Sequence, residues 1–456
     1  MAKVKRYLFS WQDVEAKSDL HRLELVIETI PDESLMRKLE GHRGRGRNDY
    51  PVRCMWNAML AGVVYQHGSI ESLRRELERN GELRQLCGFD PFLGSAAVPS
   101  AAAFTHFLKN LLTFTDEIEA MFHELVEELG QLLPDFGERV AIDGKAIQSA
   151  GKPSLHEEQD GRREMEADWG KHEYKGKRKD GSVWKKVKSW FGYKLHLLVD
   201  AQYELPLGFD VTRASASEVK QVMPLIEKHR ETHPKVGSRC KELYGDRGYD
   251  DRKIIQALYD KYDIKPVIDI RNCWNSKGDE MDRVEGQPVT RQLNPYHSDN
   301  IVYDYRGGIY CVCSATQHLQ SMSFSGFEKD RKTLKYTCPV KAYGMTCQGM
   351  SGCEHCNKSI RIPLSINRRL FTPIARSSYK WRRHYRLRTS VERVNSRLDV
   401  SFGFENHTIR GLKKMGLRVG VALIIMLSMA LGHVKAGRKE VMRSLVKSIP
   451  RLAKAA

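Results

Sequence analysis

Two aspartates follow short apolar runs that are typical of buried strands. Asp143 comes after residues 139–142 and Asp246 comes after residues 242–245, and glycines close to each acid allow the backbone to turn. A single aspartate after a strand usually forms a turn or caps a helix. Two of them on strands joined by crossover connections can instead meet at one edge of a sheet. Their carboxylates could then bind a metal ion together.

A third acid, Glu392, lies in a strongly basic segment. It is the only acidic residue between positions 361 and 397, where eleven lysines and arginines favour its ionised form. An apolar stripe at helical spacing runs beside it, so the helix should pack by one face and present Glu392 at the border of that face. The stripe consists of Leu387, Val391, Val394 and Leu398. An ordinary solvated helix face is the alternative to a functional carboxylate.

Asp143, Asp246 and Glu392 together have the composition of a phosphoryl-transfer site that uses two metal ions. Mg²⁺ prefers oxygen ligands and retains waters, so one or two carboxylates for each ion are enough. Two ions about 3.5 to 4 Å apart activate the attacking oxygen and stabilise the leaving one. The histidines of the chain do not form a cluster that offers a better site.

The overall charge indicates a polyanionic partner. The 456 residues carry 75 basic and 57 acidic side chains, which leaves a formal net charge of +18, and 41% of the residues are hydrophobic. This composition excludes an acidic disordered protein and a small disulfide-stapled scaffold, and the length predicts two or three domains. Nucleic acid is the first partner to expect and an anionic membrane surface is the second.

The N-terminal part is predicted to be helical and to bind DNA. Ser69 and Ser100 are placed to cap two helices. A glycine-spaced run just before them, with Arg43, Arg45 and Arg47, could reach successive phosphates. A solvated loop is the alternative for the run, whereas capped helices beside it also suit a helix-turn-helix-like module.

Strand and helix patterns alternate in the next part of the chain. Strands are predicted at 139–142, 193–200, 207–212, 242–245 and 264–270, and helices at 217–228 and 250–262. Two antiparallel strands followed by crossovers indicate a mixed α/β sheet. Asp250 is expected to cap the second of these helices.

A polar stretch, residues 149–189, separates the first two predicted strands. It combines many cations with aromatic residues, a mixture that suits single-stranded or distorted DNA. The residues concerned are Lys171, Lys175, Lys177, Arg178, Lys179, Lys185, Lys186 and Lys188, with Tyr174, Trp184 and Trp190. A disordered solvated loop is the alternative.

From residue 272 to about 373 the pattern changes to short strand-like runs, which predicts a β-rich insertion. Six of the ten cysteines lie between residues 311 and 356 of the insertion, and Cys353-x-x-Cys356 has the spacing of a zinc knuckle. Cys338 and Cys347 are the expected completing pair for a structural Zn²⁺. Buried reduced cysteines are the alternative.

The sequence gives two indications about compartment. Residues 1–20 have no apolar core of a signal peptide, so we expect a cytoplasmic protein with reduced cysteines. Residues 415–432 are apolar, but Arg418 and several glycines interrupt them and lysines flank them. We therefore expect a buried core helix and no membrane association.

The combined motifs resemble the DDE transposases of bacterial insertion sequences. The resemblance rests on the order strand-Asp143, strand-Asp246, helix-Glu392, on Asp-Gly-Lys at 143–145 and Tyr-Gly-Asp-Arg-Gly-Tyr at 244–249, on Gly-Tyr-Lys-Leu-His at 192–196, and on Val-Glu-Arg at 391–393. Tyr385 and Arg388 match the Tyr-x2-Arg-x3-Glu signature around the glutamate. The helical N-terminal part is similar to the InsH-type domain of these transposases.

This resemblance implies a ribonuclease H-like catalytic domain with a β-rich insertion after the second aspartate. The expected domains are 1–130 (helical, DNA-binding), 131–271 (first part of the catalytic domain), 272–375 (insertion) and 376–456 (helices that complete the catalytic domain). Asp143, Asp246 and Glu392 would be the Mg²⁺-binding triad, and Tyr385, Arg388 and Arg393 would contact DNA. The implied partners are transposon end repeats and target DNA, bound by a homodimer at the bacterial nucleoid.

One position departs from the family pattern. The hairpin-forming subgroup continues its signature with a lysine seven residues after the glutamate, and this chain has Asp399 there. The phosphate contact of that lysine, and a hairpin intermediate, are therefore not implied for this chain. Two other functions are left open: a structure-specific nuclease with the same catalytic domain, and a non-catalytic zinc-containing DNA-binding protein derived from a transposase.

Overall fold

The N-terminal part of the chain is helical. A computed structural model describes residues 19–44, 49–153, 164–178, 182–274, 288–293 and 300–443. Ser69 accepts a hydrogen bond from the Ser72 amide at 3.2 Å and Ser100 accepts one from the Ala103 amide at 3.1 Å, so both predicted caps are confirmed. The helices are α1 (Asp19–Thr29), α2 (Glu33–Arg43), α3 (Val52–Val64), α4 (Ile70–Arg79), α5 (Gly81–Cys87), α6 (Ala101–Leu111) and α7 (Thr115–Leu132).

A mixed sheet follows, as the sequence predicted, and in the described residues it has six strands, one more than the five expected. Its strands are β1 (Arg139–Gln148), β2 (Asp168–Lys177), β3 (Val183–Asp200), β4 (Pro206–Arg213), β5 (Glu242–Gly245) and β6 (Lys265–Ile268), in the order β2-β3-β1-β5-β6 with β4 also beside β3. β3 is antiparallel to β1 and β4, whereas β1, β5 and β6 are parallel. The connections contain α8 (Glu218–Thr232), α9 (Pro234–Gly237) and α10 (Arg252–Tyr262). This is the mixed sheet expected of the ribonuclease H-like fold class.

β1 is longer than its apolar pattern predicted. It pairs with β3 from Val140, opposite Asp200, to Gln148, opposite Gly192. Asp143 therefore lies inside the strand and not at its end. The apolar run stops at Ile142, but pairing with a distant strand continues the backbone ladder, which a local pattern does not reveal.

The polar stretch before β3 contains an antiparallel hairpin. β2 pairs with the first half of β3, from Asp168 opposite Gly192 to Lys177 opposite Val183. Two cross-strand contacts fit tryptophan rings over glycines: a Cβ on Gly170 would lie 2.3 Å from the Trp190 ring, and one on Gly176 would lie 2.5 Å from the Trp184 indole nitrogen. We call residues 168–177 and 183–192 the arm.

The expected β-rich insertion has two small sheets with a core of their own. Tyr336, Ile362 and Leu364 are among its fully buried side chains. One sheet has β7 (Thr290–Gln292), β8 (Ile301–Asp304), β9 (Ile309–Val312) and β10 (Leu319–Ser321), and the other has β11 (Ser323–Glu328), β12 (Thr333–Thr337) and β13 (Ser359–Pro363), with α11 (Pro339–Tyr343) after β12. The chain then forms α12 (Tyr379–Tyr385), α13 (Thr389–Phe402) and α14 (Leu412–Lys435).

The last helix, α14, is the central core helix of this structure. Its length and apolar composition would allow it to cross a membrane, but 89% of its most apolar window is buried inside the protein. It packs against α1, α7 and β4. The helix thus joins the N-terminal helices to the sheet, as a core helix does.

Asp250 is not the helix cap that we expected. The cap of α10 is the next residue, Asp251, whose side chain accepts hydrogen bonds from the amides of Lys253 and Ile254. The Asp250 side chain is fully buried and forms an ion pair with Arg369. Two adjacent aspartates therefore have different roles, and the difference depends on a partner more than a hundred residues away in the chain.

Candidate active site

Asp143 and Asp246 are neighbours in the sheet. Ala141 of β1 is paired in parallel with Tyr244 of β5, and each aspartate stands two residues further along its chain. A step of two residues returns a side chain to the same face of a strand. The two carboxylates are therefore placed side by side, on one face, at the carboxyl end of β5.

The surroundings of Asp143 carry an excess of negative charge. Burial is the main cause that raises the pKa of Asp143 to about 7, and the nearby carboxylates of Asp246 and Glu218 contribute to the rise. A hydrogen bond from the Gly144 amide at 2.9 Å and the positive charge of Arg388 oppose this effect. A cation between these acids would relieve their mutual repulsion.

Asp246 is positioned by the turn that follows β5. Its carboxylate accepts a hydrogen bond from the Gly248 amide at 2.7 Å and caps the short 3-10 turn Arg247–Tyr249. This contact uses Oδ1 and fixes the side chain at the edge of the sheet. Asp246 therefore does form a turn, which was one role expected of an aspartate after a strand, and it also lies beside Asp143.

Glu392 lies on α13 and is paired with an arginine. Arg388 Nη1 lies 2.7 Å from Glu392 Oε1, and the glutamate side chain is half exposed. The turn that carries Arg388 packs against β1 and β5, and its charge acts on Asp143 as well. Among the described residues, no group of three or more His, Cys, Asp or Glu side chains is arranged to hold a metal ion. The structure therefore brings the two aspartates together, whereas the Glu392 carboxylate forms an ion pair with Arg388.

Asp399, the position that departs from the family signature, has a buried partner on β1. Lys145 Nζ lies 2.7 Å from Asp399 Oδ2 and 3.6 Å from Glu405 Oε1, and the Lys145 side chain is only 9% exposed. Lys145 follows Asp143 by two residues, and Asp399 lies two turns after Glu392 on α13. The ion pair therefore connects β1, the strand of Asp143, to α13, the helix of Glu392. The positive charge of this pair is Lys145 on the strand, and the helix position that carries a lysine in the family signature carries the negative charge.

Glu218 is an acidic residue of the site that we did not identify from the sequence. It is the first residue of α8, and its carboxylate packs against Gly144, next to Asp143. The signal that could have revealed it is its place at the start of the crossover helix between β4 and β5, because such helix starts lie near the strand ends that form sites in α/β sheets.

Comparisons with known proteins place this geometry in a family. Residues 134–427, more than half of the chain and including Asp143, Asp246 and Glu392, match the family described as Transposase DDE domain. The chain belongs to the DDE transposases. Residues 12–110 of this transposase also match the family described as Transposase domain (DUF772).

The other comparisons add little to this assignment. A search of curated proteins gave no match. A solved structure described as the cryo-EM structure of piggyBac transposase synaptic complex with hairpin DNA is similar over 96% of this chain and 87% of that chain, with 11% identity and a TM-score of 0.29. A likeness of that size carries no argument about the present transposase.

The other residues that the sequence predicted for the site lie on several surfaces of the transposase. The Tyr385 ring stacks on Trp381 with centroids 4.6 Å apart, and the Arg388 guanidinium lies 5.7 Å from the Tyr385 ring. Arg393 pairs with Glu204 at 2.6 Å. Arg43 is the last residue of α2, whereas Arg45 and Arg47 lie outside the described residues.

The cysteines of the insertion lie close together. The Cys356 thiol interacts with Cys338, and the Cys347 thiol interacts with Cys313. Burial is the main cause that raises the pKa of Cys311 to about 12, and the nearby thiols of Cys338, Cys353 and Cys347 contribute to the rise. A cavity of about 290 Å³ beside them is lined by Cys311, Cys313, Cys338, Cys347 and His318 among others. The four cysteines named from the sequence are thus near one another, but no three of them are arranged to hold a metal ion among the described residues.

Proposed function

We propose that this transposase binds the end repeats of an insertion sequence, cleaves DNA at those ends, and joins the freed 3′-hydroxyl to target DNA. The observation that supports this most is the register of β1 and β5, in which Asp143 and Asp246 are neighbours just beyond the carboxyl end of β5. Glu392, on the helix tied to β1 by Lys145, is proposed as the third acid. Arg388 offers a planar guanidinium for a DNA phosphate beside these acids.

The donor set fits a divalent cation. All three side chains supply carboxylate oxygens, which Mg²⁺ prefers, and the pKa of Asp143 is raised by burial and by nearby negative charge. Mg²⁺, when bound, would activate the attacking oxygen and stabilise the leaving oxygen of the phosphodiester. Asp143 and Asp246 are proposed to hold the ion, and Glu392 to complete the set.

A strand-transfer assay tests this function against its two rivals. Pre-cleaved DNA ends with a free 3′-hydroxyl are supplied with a supercoiled target and Mg²⁺. The proposed transposase joins the ends to the target. A structure-specific nuclease would cut uncleaved substrates without joining ends, and a non-catalytic DNA-binding protein would do neither, so both of these outcomes contradict the proposal.

One face of the arm is suited to guide DNA toward the acids. Trp184, Lys186 and Lys188 alternate with residues of the opposite face and are exposed. The same face continues at the base of the arm to His172, which is opposite Lys188 and 3.8 Å from Glu218. Lysines that contact phosphates and an aromatic ring that stacks on a base are the usual components of such a surface.

Replacing Lys186 and Lys188 with alanine is expected to weaken DNA binding and to reduce its dependence on salt. Each lysine–phosphate interaction that is removed should lower the slope of log Kd against log salt by about 0.9, so the slope of the double variant should fall by about 1.8. The measurement is a titration of labelled end-repeat DNA at several salt concentrations. The matched control is Lys171→Ala with Lys185→Ala, which removes the same charge from the other face of the arm; equal slopes for the two variants would contradict the assignment.

We also propose one structural zinc in the insertion, bound by Cys338, Cys347, Cys353 and Cys356. Four thiolates close the tetrahedral shell of a structural zinc, and such a site stabilises the fold around it. Metal analysis of folded, chelator-washed protein should find about one zinc per chain, and Cys356→Ala should lose it while Cys273→Ala, at an exposed thiol outside the cluster, keeps it. Metal-free protein with an unchanged thermal transition would refute the proposal. The homodimer and the nucleoid location stay predictions from the family resemblance.

A further inference from the structure

We propose that Arg247 and Arg306 form a phosphate clamp beside Asp246, through which the β-rich insertion contributes a DNA contact to the proposed catalytic centre. The clamp consists of these two guanidiniums and the buried carboxylate of Asp269 that holds them. Its ligand is a phosphodiester of the end-repeat DNA close to the cleavage position. This inference rests on the proposed function, because it assigns a substrate contact to the same centre.

Asp269 is a neighbour of Asp246 in the sheet. Gly245 of β5 pairs in parallel with Ile268 of β6, and each aspartate is the next residue of its chain segment. The Asp269 side chain is only 9% exposed. Asp269 thus follows β6 as Asp246 follows β5, but its carboxylate is already paired with arginines.

Two arginines from distant parts of the chain share the Asp269 carboxylate. Arg247 donates to Oδ2 from Nε at 3.1 Å and from Nη2 at 2.6 Å, and Arg306 Nη2 donates to Oδ1 at 3.1 Å. One negative charge is therefore matched with two positive charges. Because Arg247 directly follows Asp246 in the chain, this excess positive charge lies beside the acid site.

Both guanidiniums keep donors for a further anion. The side chain of Arg247 is 60% exposed and that of Arg306 is 41% exposed. Within the part of the chain that the structure describes, Nη1 of Arg247 and both Nε and Nη1 of Arg306 make no hydrogen bond. A guanidinium carries its five N–H donors in a planar fork that matches the oxygens of a phosphate. The clamp therefore has the charge and the donors to bind one phosphodiester.

The turn that carries Arg306 has a fixed backbone geometry. Asp304 Oδ1 accepts hydrogen bonds from the amides of Arg306 at 2.9 Å and Gly308 at 2.8 Å. Gly307 has a φ of +79°, and a Cβ there would lie 2.9 Å from the Leu370 carbonyl oxygen. A side chain at position 307 is therefore excluded, and the turn between β8 and β9 presents Arg306 to the sheet in one arrangement.

An aromatic pair connects the clamp to Arg388. The Arg306 guanidinium lies 5.8 Å from the centroid of the Trp381 ring, which stacks on Tyr385, and the Arg388 guanidinium lies 5.7 Å from the Tyr385 ring. Arg388 also pairs with Glu392. The two arginines thus belong to one row of side chains that begins at the glutamate and ends at the clamp. Such a row is suited to successive phosphates of one DNA strand.

The test is the binding of end-repeat DNA in which single phosphates are replaced by uncharged methylphosphonates, at three positions on each side of the cleavage position. Fluorescence anisotropy measures Kd at a fixed salt concentration and without added Mg²⁺. At least one replacement is expected to raise the Kd of the wild-type protein about tenfold, because a charge-assisted hydrogen bond is lost. Arg306→Ala should raise the Kd of unmodified DNA by a similar factor. It should then be insensitive to that replacement, since the contact is already absent.

Two further variants separate the contact from a structural role. Asp269→Asn keeps both cations but no longer holds them by charge, so it should reduce the same position-specific sensitivity. Arg331→Ala is the matched control, because it removes an exposed arginine from the same insertion. Arg331 lies in the turn of Lys329, which pairs with Asp263 at the opposite end of β6. The control should bind every DNA as the wild type does, and circular dichroism melts check that each variant is folded.

The inference is overturned if Arg247→Ala and Arg306→Ala bind unmodified DNA as tightly as the control, or if they keep the wild-type sensitivity at every position. A wild-type protein that is insensitive to all the replacements would also overturn it. Asp143→Asn distinguishes the two levels. If that variant loses strand transfer while the arginine variants behave as the control, only this inference fails. If it retains near-normal strand transfer, the proposed function fails, while the binding pattern still decides on the clamp.

Discussion

Replacing Asp143 or Asp246 with asparagine is expected to reduce DNA cleavage and strand transfer by about a thousandfold or more. The two carboxylates share one position at the sheet edge, and loss of a cation site removes several kcal/mol of transition-state stabilisation, with each 1.36 kcal/mol worth about tenfold in rate. Glu392→Ala should have an effect of the same order. The double variant Asp143→Asn with Asp246→Asn should be no slower than either single variant, because residues that act as one unit fail together.

Single-turnover assays on pre-cleaved and uncleaved end-repeat DNA measure both reactions. Binding of the same DNA should persist, because we propose that it depends mainly on the arm and the other basic surfaces. Asp210→Asn is the control, since it removes one exposed carboxylate from the neighbouring strand β4. If Glu392→Ala retained near-normal strand transfer, the triad assignment would be wrong and Asp399, Glu405 and Glu218 would be the acids to test next.

Asp250→Asn is expected to destabilise the fold by about 3 to 5 kcal/mol, the usual cost of removing one partner of a buried ion pair. Asp250 Oδ1 lies 3.0 Å from Arg369 Nε, and Oδ2 accepts from the Arg271 amide at 2.8 Å. These bonds hold the start of α10 against both ends of the insertion. The neutral side chain would leave the partly exposed Arg369 guanidinium without its charged partner at a place where the aspartate is fully buried. Urea denaturation followed by tryptophan fluorescence measures the change.

The neighbouring residue provides the control for this prediction. Asp251→Asn changes a partly exposed cap of the same helix, and asparagine caps helices nearly as well as aspartate, so its effect should be small. Both variants should keep measurable strand transfer at a temperature where they are folded, since neither residue is in the proposed triad. Equal, small losses of stability for the two variants would show that Asp250 is not the buried anchor that its contacts indicate.

The sequence predicted those parts of the fold that depend on local patterns. The caps Ser69 and Ser100, the strand at residues 242–245 and the apolar face of α13 all follow from residue types within one or two turns or strands. The acidic positions also followed from local motifs. Asp143 and Asp246 were expected to converge because crossover connections make the strands neighbours, and the register of β1 and β5 places them together.

The parts that could not be predicted depend on contacts between distant residues. The extension of β1 past Ile142 requires pairing with β3, and the choice between Asp250 and Asp251 as cap depends on Arg369. The arm was left open against a disordered loop because its order comes from tryptophans that lie over glycines of the opposite strand. Glu218 was missed for the same reason: only folding brings the start of α8 onto Gly144.

The part of β3 that forms the arm is about as long as one helical turn of DNA. This single strand runs from the acid site into the arm, and its ten residues from 183 to 192 extend about 33 Å at about 3.3 Å per residue. Successive base pairs of duplex DNA are about 3.4 Å apart, so the arm matches about ten base pairs, close to one helical turn. DNA that follows the arm would therefore present the same groove at the tip of the arm as at its base near Gly192, and the arm would measure out about one turn of the duplex.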